Sequence, residues 1–293
     1  MIRFRFHGRG GQGIKTAGRI LSKAAFFEGL FSQDFAIYGA ERRGAPITAF
    51  VRLSDAPILE RGHIFNPSYV LVTAPSLLFD PTVKPLEGMA DGSVLFVNSS
   101  KEVQIVQPKK VHTIYRDITE LALKHIGRDI LSAAMGAVAC KLSGLISLQS
   151  LVDSVEEELA ELGLAADLIE KNVQLAKECY SSVESISLRG LDYKPSHKVV
   201  EVQYMGERGI PDLLSMGNTI LRKTGSWRVF TPIVDKNLCT ACSICYIYCP
   251  EACISLDEQG YPVINYNNCK GCLVCTVECP RRAIKTERET IWS

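Results

Sequence analysis

Neither charge of one sign nor apolar length is abundant in this sequence, and each shortage excludes a class of function. The 293 residues carry 33 Lys and Arg against 32 Asp and Glu, so no global field is available to recruit nucleic acid or an anionic membrane. No stretch nears the ~18 uninterrupted apolar residues that a membrane helix requires. The start, Met1-Ile2-Arg3-Phe4-Arg5-Phe6-His7, lacks the apolar core of a secretion signal. A cytoplasmic address, with no membrane and no nucleic acid partner, is expected. Cysteine is scarce through most of the chain: only Cys140 and Cys179 precede residue 239. The other nine fall within 41 residues, which in a reducing compartment points to metal or redox chemistry and not to disulfides. His7, His63 and His125 stand at no recognisable spacing to a serine, cysteine or carboxylate, and structural roles are expected for them. No G-D-G element opens a 25-to-30-residue stretch closing on asparagine, so a thiamine diphosphate site is not expected in this chain.

What the chain does have is length for about two domains and a 46% hydrophobic content that can bury a core. Its first part alternates short apolar runs with amphipathic ones, the pattern of an α/β domain with a mainly parallel sheet and flanking helices. Strands are predicted at Ile2 to Phe6, Phe35 to Tyr38, Ile47 to Leu53, Tyr69 to Thr73 and Ser93 to Asn98. Helices are predicted at Ile14 to Glu28, Asp117 to His125, Asp129 to Leu142, Leu148 to Leu162 and Ala165 to Ser182. The run Glu156-Glu157-Glu158 reads as a wet helix face. This domain is expected to span residues 1 to 185, followed by an extended connector, 186 to 230, punctuated by Gly, Pro and Ser.

The last part, 231 to 293, contains a repeat. Cys239, Cys242, Cys245 and Cys249 with Pro250 recur 30 residues later as Cys269, Cys272, Cys275 and Cys279 with Pro280. Each half is the C-x2-C-x2-C-x3-C-P run of an α+β bacterial 2[4Fe–4S] ferredoxin-like domain, in which the fourth cysteine ligates the cluster of the other half. On that template one cluster takes Cys239, Cys242, Cys245 and Cys279, and the second takes Cys269, Cys272, Cys275 and Cys249. Zinc ribbons also use C-x2-C, but they pair two such elements at a distance and do not set three cysteines at intervals of three before C-P. The ninth cysteine of the group, Cys253, aligns with Ala283 and reads as a small packed residue. Amides of Thr240, Ala241, Ser243, Ile244 and Lys270 to Val274 are expected to bond the sulfurs, with Ile244, Ile247, Leu273 and Val277 keeping water away.

Gly8-Arg9-Gly10-Gly11-Gln12-Gly13 fits G-x-G-x-x-G between a predicted strand and helix. The acidic residue that would hold a ribose is not at the end of the next strand: Asp34 precedes it and Glu41 follows it. The loop also nearly fits a phosphate loop, but Ile14 stands where lysine belongs, and Lys15, about 100° further round the helix, points elsewhere. What survives is a tentative anion, coenzyme or partner contact at a helix start, which Arg42, Arg43 and Arg52 could extend. A purely structural turn is the competing reading.

Taken together, these motifs resemble the fused gamma and delta subunits of the 2-oxoacid:ferredoxin oxidoreductases, the family that includes pyruvate:ferredoxin oxidoreductase. The gamma-like part is carried by His7 to Gly13 and by Gly39-Ala40-Glu41-Arg42-Arg43-Gly44-Ala45-Pro46 leading into Ala49 to Arg52. The delta-like part is carried by Lys223-Thr224-Gly225-Ser226-Trp227-Arg228-Val229-Phe230-Thr231-Pro232 and both cluster runs. The arginine turn lacks a second glycine that the family pattern leads one to expect after its E-x-R-G core. The resemblance implies an electron-transfer and scaffold subunit, inactive alone, passing electrons through two [4Fe–4S] clusters to ferredoxin. Alpha- and beta-type partners would hold thiamine diphosphate, Mg2+ and a further cluster. Pyruvate is the default substrate, with coenzyme A taking the acetyl group and CO2 released; oxalate, branched-chain and aromatic 2-oxoacids are the alternatives. A self-contained NAD(P)H-linked reductase fused to a ferredoxin, or a standalone electron carrier, are rivals of another class.

Overall fold

The computed structural model describes residues 1–37, 44–105, 110–186, 188 and 223–289. Contacts divide the chain into two compact units, Met1–Leu191 and Asp192–Trp292. Most of the expected connector, and the turn bearing Arg42 and Arg43, lie outside the described residues.

The first unit is built on a six-stranded sheet of order β2-β3-β1-β4-β5-β6. Its strands are β1 (Ile2–Arg9), β2 (Phe31–Ile37), β3 (Pro46–Ser54), β4 (Tyr69–Val72), β5 (Val94–Val97) and β6 (His112–Tyr115). β1, β4, β5 and β6 run parallel, whereas β3 pairs antiparallel with both β1 and β2. The antiparallel edge follows from chain length: only residues 38–45 join β2 to β3, too few for the crossover of a dozen or more that a parallel pair requires. β6 has no counterpart among the predicted strands, because His112 and Thr113 dilute the apolar pattern of an edge strand.

Five helices follow the predicted order: α1 (Ile14–Phe27), α2 (Ile118–Ile126), α3 (Ser132–Ser143), α4 (Leu148–Glu161) and α5 (Ala166–Ser181). Asp117 caps α2 by accepting from the Glu120 amide at 3.0 Å, and Ser147 caps α4 by accepting from Ser150 at 3.1 Å. Left-handed Gly127 and Gly144 end α2 and α3. α3, rich in alanine, is buried nearly all round, as a helix without a polar face must be. A Cβ on Gly136 would come within 2.9 Å of Ile20 Cγ2, so that glycine allows α3 to approach α1 closely. Glu158, expected to be wet, is buried at the α1–α4 contact, where it pairs with Arg19 at 3.0 Å and Lys23 at 3.2 Å. It lies one helical turn from Ser154 and Val155, on the inward face of α4.

β1 sorts its side chains by alternation. Phe4 and Phe6 face the helices, and Phe4 stacks on Tyr69 with centroids 4.6 Å apart. Arg3, Arg5, His7 and Arg9 take the opposite face and are all buried. They share it with the apolar cluster of Val70, Val72, Leu95 and Val97 on the neighbouring strands. Arg3 and Arg52, cross-strand partners, both pair with Glu60. Arg5 donates to the carbonyl oxygens of Ile64, Pro85 and Glu87 at 3.2, 2.7 and 2.6 Å. His7 meets Thr48 Oγ1 at 3.3 Å through Nδ1.

Burial first, and the Arg5 charge second, hold the His7 imidazole well below its usual range. Folded His7 therefore stays neutral at a pH where the unfolded side chain, with its ordinary value near 6.5, takes up a proton. Its contribution to stability is complete above that value and falls as pH drops below it, by at most about 1.4 kcal/mol per pH unit. Urea unfolding at pH 7.5 and pH 5 should show His7→Gln losing less stability on acidification than the native chain; an equal loss would contradict the assignment.

Candidate functional site: two cysteine-lined cavities and a glycine turn

The second unit repeats itself in space as it does in sequence. β7 (Phe230–Val234) pairs antiparallel with β10 (Ile284–Arg288), and β8 (Ile254–Leu256) with β9 (Pro262–Ile264). Two single-turn helices, α6 (Ile244–Ile247) and α7 (Val274–Val277), carry the third cysteine of each run, Cys245 and Cys275. Hydrogen bonds recur at the 30-residue displacement. The Cys239 amide donates to Asp235 O at 3.1 Å, and that of Cys269 to Asn265 O at 3.0 Å. Each half also clasps the other: the Asp235 amide donates to Ala283 O and the Asn265 amide to Cys253 O, both at 2.7 Å.

The backbone repeats its unusual conformations too. Ala241, Ser243 and Ala252 have φ of 54°, 61° and 48°, and Gly271, Leu273 and Arg282, 30 residues on, have 67°, 62° and 49°. Non-glycine residues in the left-handed region cost on the order of 1–3 kcal/mol each and persist only where their surroundings enforce them. Alternating handedness of this kind turns successive amides inward to make a concave site for negative charge. The Ala241 amide reaches Cys239 Sγ at 3.5 Å, as expected, and the Ala283 amide, which was not anticipated, reaches Cys279 Sγ at 3.3 Å.

Two cavities result, of about 360 and 340 Å3 counted with their open mouths. The first is lined by Cys239, Cys242, Cys245 and Cys279, with Ile244, Arg281 and Ala283 among its other walls. The second is lined by Cys249, Cys269, Cys272 and Cys275, with Leu273, Lys270, Glu251 and Cys253. The fourth cysteine of each run thus stands among the first three of the other. Among the described residues no three His, Cys, Asp or Glu side chains converge as a single metal ion would need. Four cysteines line each space instead, a donor set that fits a [4Fe–4S] cluster. Ile244 and Leu273 line the cavities as expected, but Ile247 and Val277 are 70% and 80% exposed. At the outer side of single-turn helices, these two cannot exclude water.

Local electrostatics separate the sulfurs. Burial raises the Cys245 thiol and pushes Cys275 up to about 12. Hydrogen bonding to Cys253 brings Cys249 down to about 6 and Cys269 down to about 7, while raising Cys253 itself. Lys270 and Glu251 form a buried ion pair of 2.9 Å beside the second cavity.

A further group escaped residue-by-residue reading. Arg228, buried, donates to the carbonyls of Tyr266 and Cys269, the latter at 2.8 Å, and pairs with Glu289 at 2.9 Å. Thr224 Oγ1 donates to Asn268 O, and the Gly225 amide to Asn267 O at 2.9 Å. A Cβ on Gly225 would lie 2.4 Å from Tyr266 O. The Thr-Gly-Ser-Trp-Arg stretch therefore clamps the chain that leads into Cys269. The family resemblance singles out this stretch, but nothing in its sequence points to the chain before Cys269 as its partner.

In the first unit the glycine loop is a strand-to-helix turn whose polar groups are met from within. Gly8 and Arg9 still belong to β1. A Cβ on Gly8 would lie 2.3 Å from Ile14 Cγ1, and left-handed Gly13 begins α1. Gln12 Oε1 accepts from the Arg9 amide at 2.9 Å and from Thr73 Oγ1 at 2.7 Å. The Arg9 guanidinium turns inward to Ser76 Oγ at 2.7 Å, and burial pushes it down to about 10, still charged at neutral pH. Gly10 and Gly11 complete the turn; the Gly10 amide donates to Ala45 O at 2.8 Å and the Gly44 amide to Gly10 O at 3.0 Å. That double clasp anchors the residue directly after Arg43 beside the loop. Arg52, which was to extend the site, is buried in β3 behind Glu60, Gln33 and the Gly62 carbonyl.

Comparison with known proteins divides along the same lines. The sequence profile described as pyruvate ferredoxin/flavodoxin oxidoreductase matches residues 3–182, and that described as a 4Fe-4S binding domain matches residues 262–285. A pyruvate synthase subunit PorC of Methanothermobacter thermautotrophicus is 40% identical over 187 residues, 64% of this chain and 98% of its own length. The pyruvate/ketoisovalerate oxidoreductases common subunit gamma of Pyrococcus furiosus is 38% identical over 195 residues, 64% of this chain and 100% of its own. Among solved structures, pyruvate oxidoreductase subunit PORC of Thermotoga maritima covers 61% of this chain and 95% of its own at 29% identity, with a TM-score of 0.52.

The crossed arrangement is tested by pairs of substitutions. With two [4Fe–4S] clusters the anaerobically reconstituted chain should bind about eight iron atoms. Cys242→Ala with Cys279→Ala should lose about four, because both sulfurs face one cavity, whereas Cys272→Ala with Cys279→Ala should lose nearly all. The reverse outcome would mean that each run serves a cluster of its own.

Proposed function

The chain belongs to the pyruvate ferredoxin/flavodoxin oxidoreductase family, and on that premise we propose that it is the gamma-type, cluster-bearing subunit of a thiamine diphosphate-dependent 2-oxoacid:ferredoxin oxidoreductase. The observation that carries the reading is the pair of four-cysteine cavities in the same chain as a gamma-type α/β unit. Two [4Fe–4S] clusters, when bound, supply one-electron acceptors between a two-electron decarboxylation and a one-electron carrier. Cys239, Cys242, Cys245 and Cys279 hold the first, and Cys269, Cys272, Cys275 and Cys249 the second. The inward-turned amides and the Arg228 clamp fix the cysteine loops, and the aliphatic walls Ile244 and Leu273 limit water.

Alpha- and beta-type partners carry the thiamine diphosphate, Mg2+ and a further cluster, and free ferredoxin takes the electrons. Pyruvate is the substrate we favour, oxidised to acetyl-CoA and CO2. A branched-chain 2-oxoacid is the second candidate, supported by the ketoisovalerate in the name of the Pyrococcus furiosus relative. The outer rim of the turn, Gly10, Gly11 and Gly13 with Arg42 and Arg43, serves as the contact to coenzyme or partner, while Gly8, Arg9 and Gln12 are buried beneath it. The Gly10–Gly44 clasp supports that assignment, with Arg9 holding the turn from beneath and its charge turned inward.

Anaerobic affinity purification from the native host, with iron, thiamine and subunit analysis, tests the reading. It should be followed by assay of ferredoxin reduction with pyruvate, 2-oxoisovalerate, phenylglyoxylate and oxalate. The expected result is co-purifying thiamine-containing subunits, turnover with pyruvate, and no turnover by this chain alone. A lone chain whose clusters are reduced by NADH or NADPH would replace the subunit reading with that of a self-contained reductase.

A further inference from the structure

The two cavities repeat one another in backbone, and among the side chains in which they differ one sets a thiol against a cysteine sulfur in the second cavity alone. Cys253 and Ala283 occupy matching positions, four residues after the last cysteine of each run, and each accepts the same 2.7 Å bond from the opposite half. Both are buried and both line a cavity. In the first cavity the position presents a methyl group. In the second it presents a thiol, whose sulfur lies 3.5 Å from Cys249 Sγ.

We propose that Cys253 is a positioning residue for the second cluster, its S–H donating to the Cys249 sulfur and raising the reduction potential of that cluster alone. The proposal rests on the reading of both cavities as [4Fe–4S] sites. The direction of the hydrogen bond follows from it, since a sulfur committed to iron is a thiolate with no proton to give. Four cysteines already surround the second cavity without Cys253, and the matching position in the first half is alanine, so a fifth ligand is not required. Reduction adds negative charge that spreads onto the ligand sulfurs, and a donor pointed at them stabilises the reduced state more than the oxidised one. No proton leaves Cys253; the electron is added and the hydrogen bond tightens. The charged linings differ as well, Arg281 at the first cavity and the Lys270–Glu251 pair at the second. The order of the two potentials is therefore set by several groups, whereas the response of each to its own thiol is not.

The test is a redox titration of the full chain with both clusters reconstituted, followed by electron paramagnetic resonance and iron analysis, for the native protein, Cys253→Ala, Cys253→Ser and Ala283→Cys. Cys253→Ala should keep its iron and shift one of two one-electron couples to lower potential. The shift expected is about threefold to tenfold in reduction equilibrium, the range one hydrogen bond supplies, or up to about 59 mV for one electron. Cys253→Ser, which retains a donor, should recover most of it, and Ala283→Cys should raise the other couple. The inference is overturned if neither Cys253→Ala nor Ala283→Cys moves a single couple selectively. Loss of about four irons from Cys253→Ala would also overturn it, by making Cys253 a ligand. A native chain that takes up no iron would overturn the cluster reading itself, and this inference with it.

Discussion

The second unit depends on the exchange of one cysteine between its halves. Because Cys249 faces the sulfurs of the later run and Cys279 those of the earlier, neither half closes its cavity without the other. The exchange needs the chain to double back within a few residues, and the left-handed turns at 241, 243, 252, 271, 273 and 282 accomplish it. Five of those six positions are not glycine, so the strain must be offset by what the turns enclose. Hydrophobic burial offers little here, with a cluster of six buried residues of which four are cysteine. Metal–sulfur bonding is the source of stability that such a unit has in reserve.

The first unit makes the opposite choice. Its stability lies in a broad apolar layer between sheet and helices, and its polar irregularities are confined to the far side of β1. Four basic side chains there are met by one carboxylate, by carbonyls and by hydroxyls. The outer two, Arg3 and Arg9, mark the ends of a buried polar seam that runs the length of the strand to the glycine turn. A row so fully enclosed specifies the register of β1 against its neighbours, since a slip of one residue would bring phenylalanines into it.

Much of this was legible in sequence. Five helices were visible in the alternation of apolar and amphipathic runs, and the 30-residue displacement of the cysteine runs carries through to the backbone, the hydrogen bonds and the cavities. Other features were not, for identifiable reasons. The antiparallel edge was hidden by reading β2 and β3 one at a time, although the short link between them already demanded it. β6, no shorter than β4 and β5, is too polar to stand out, and Glu158 looked solvated because its partners lie on α1, far away in sequence. Arg9 and Arg52 read in sequence as part of an anion contact, but alternation along β1 and β3 turns both side chains inward. Hydropathy marks Ile247 and Val277 as shields but is blind to the outward face of a single helical turn. In Cys253 the alignment correctly found a small packed residue but could not see the sulfur beside it.

The pairing of β7 with β10 brings the first and last strands of the second unit side by side, with the Glu289 amide still bonded to Val229 O at 2.9 Å. A unit whose first and last strands pair in this way is framed from within. Its cysteine loops hang between two strands that the same stretch of chain supplies, one at each end. The cavities are in that sense a self-contained cassette, whose geometry is set between Val229 and Glu289.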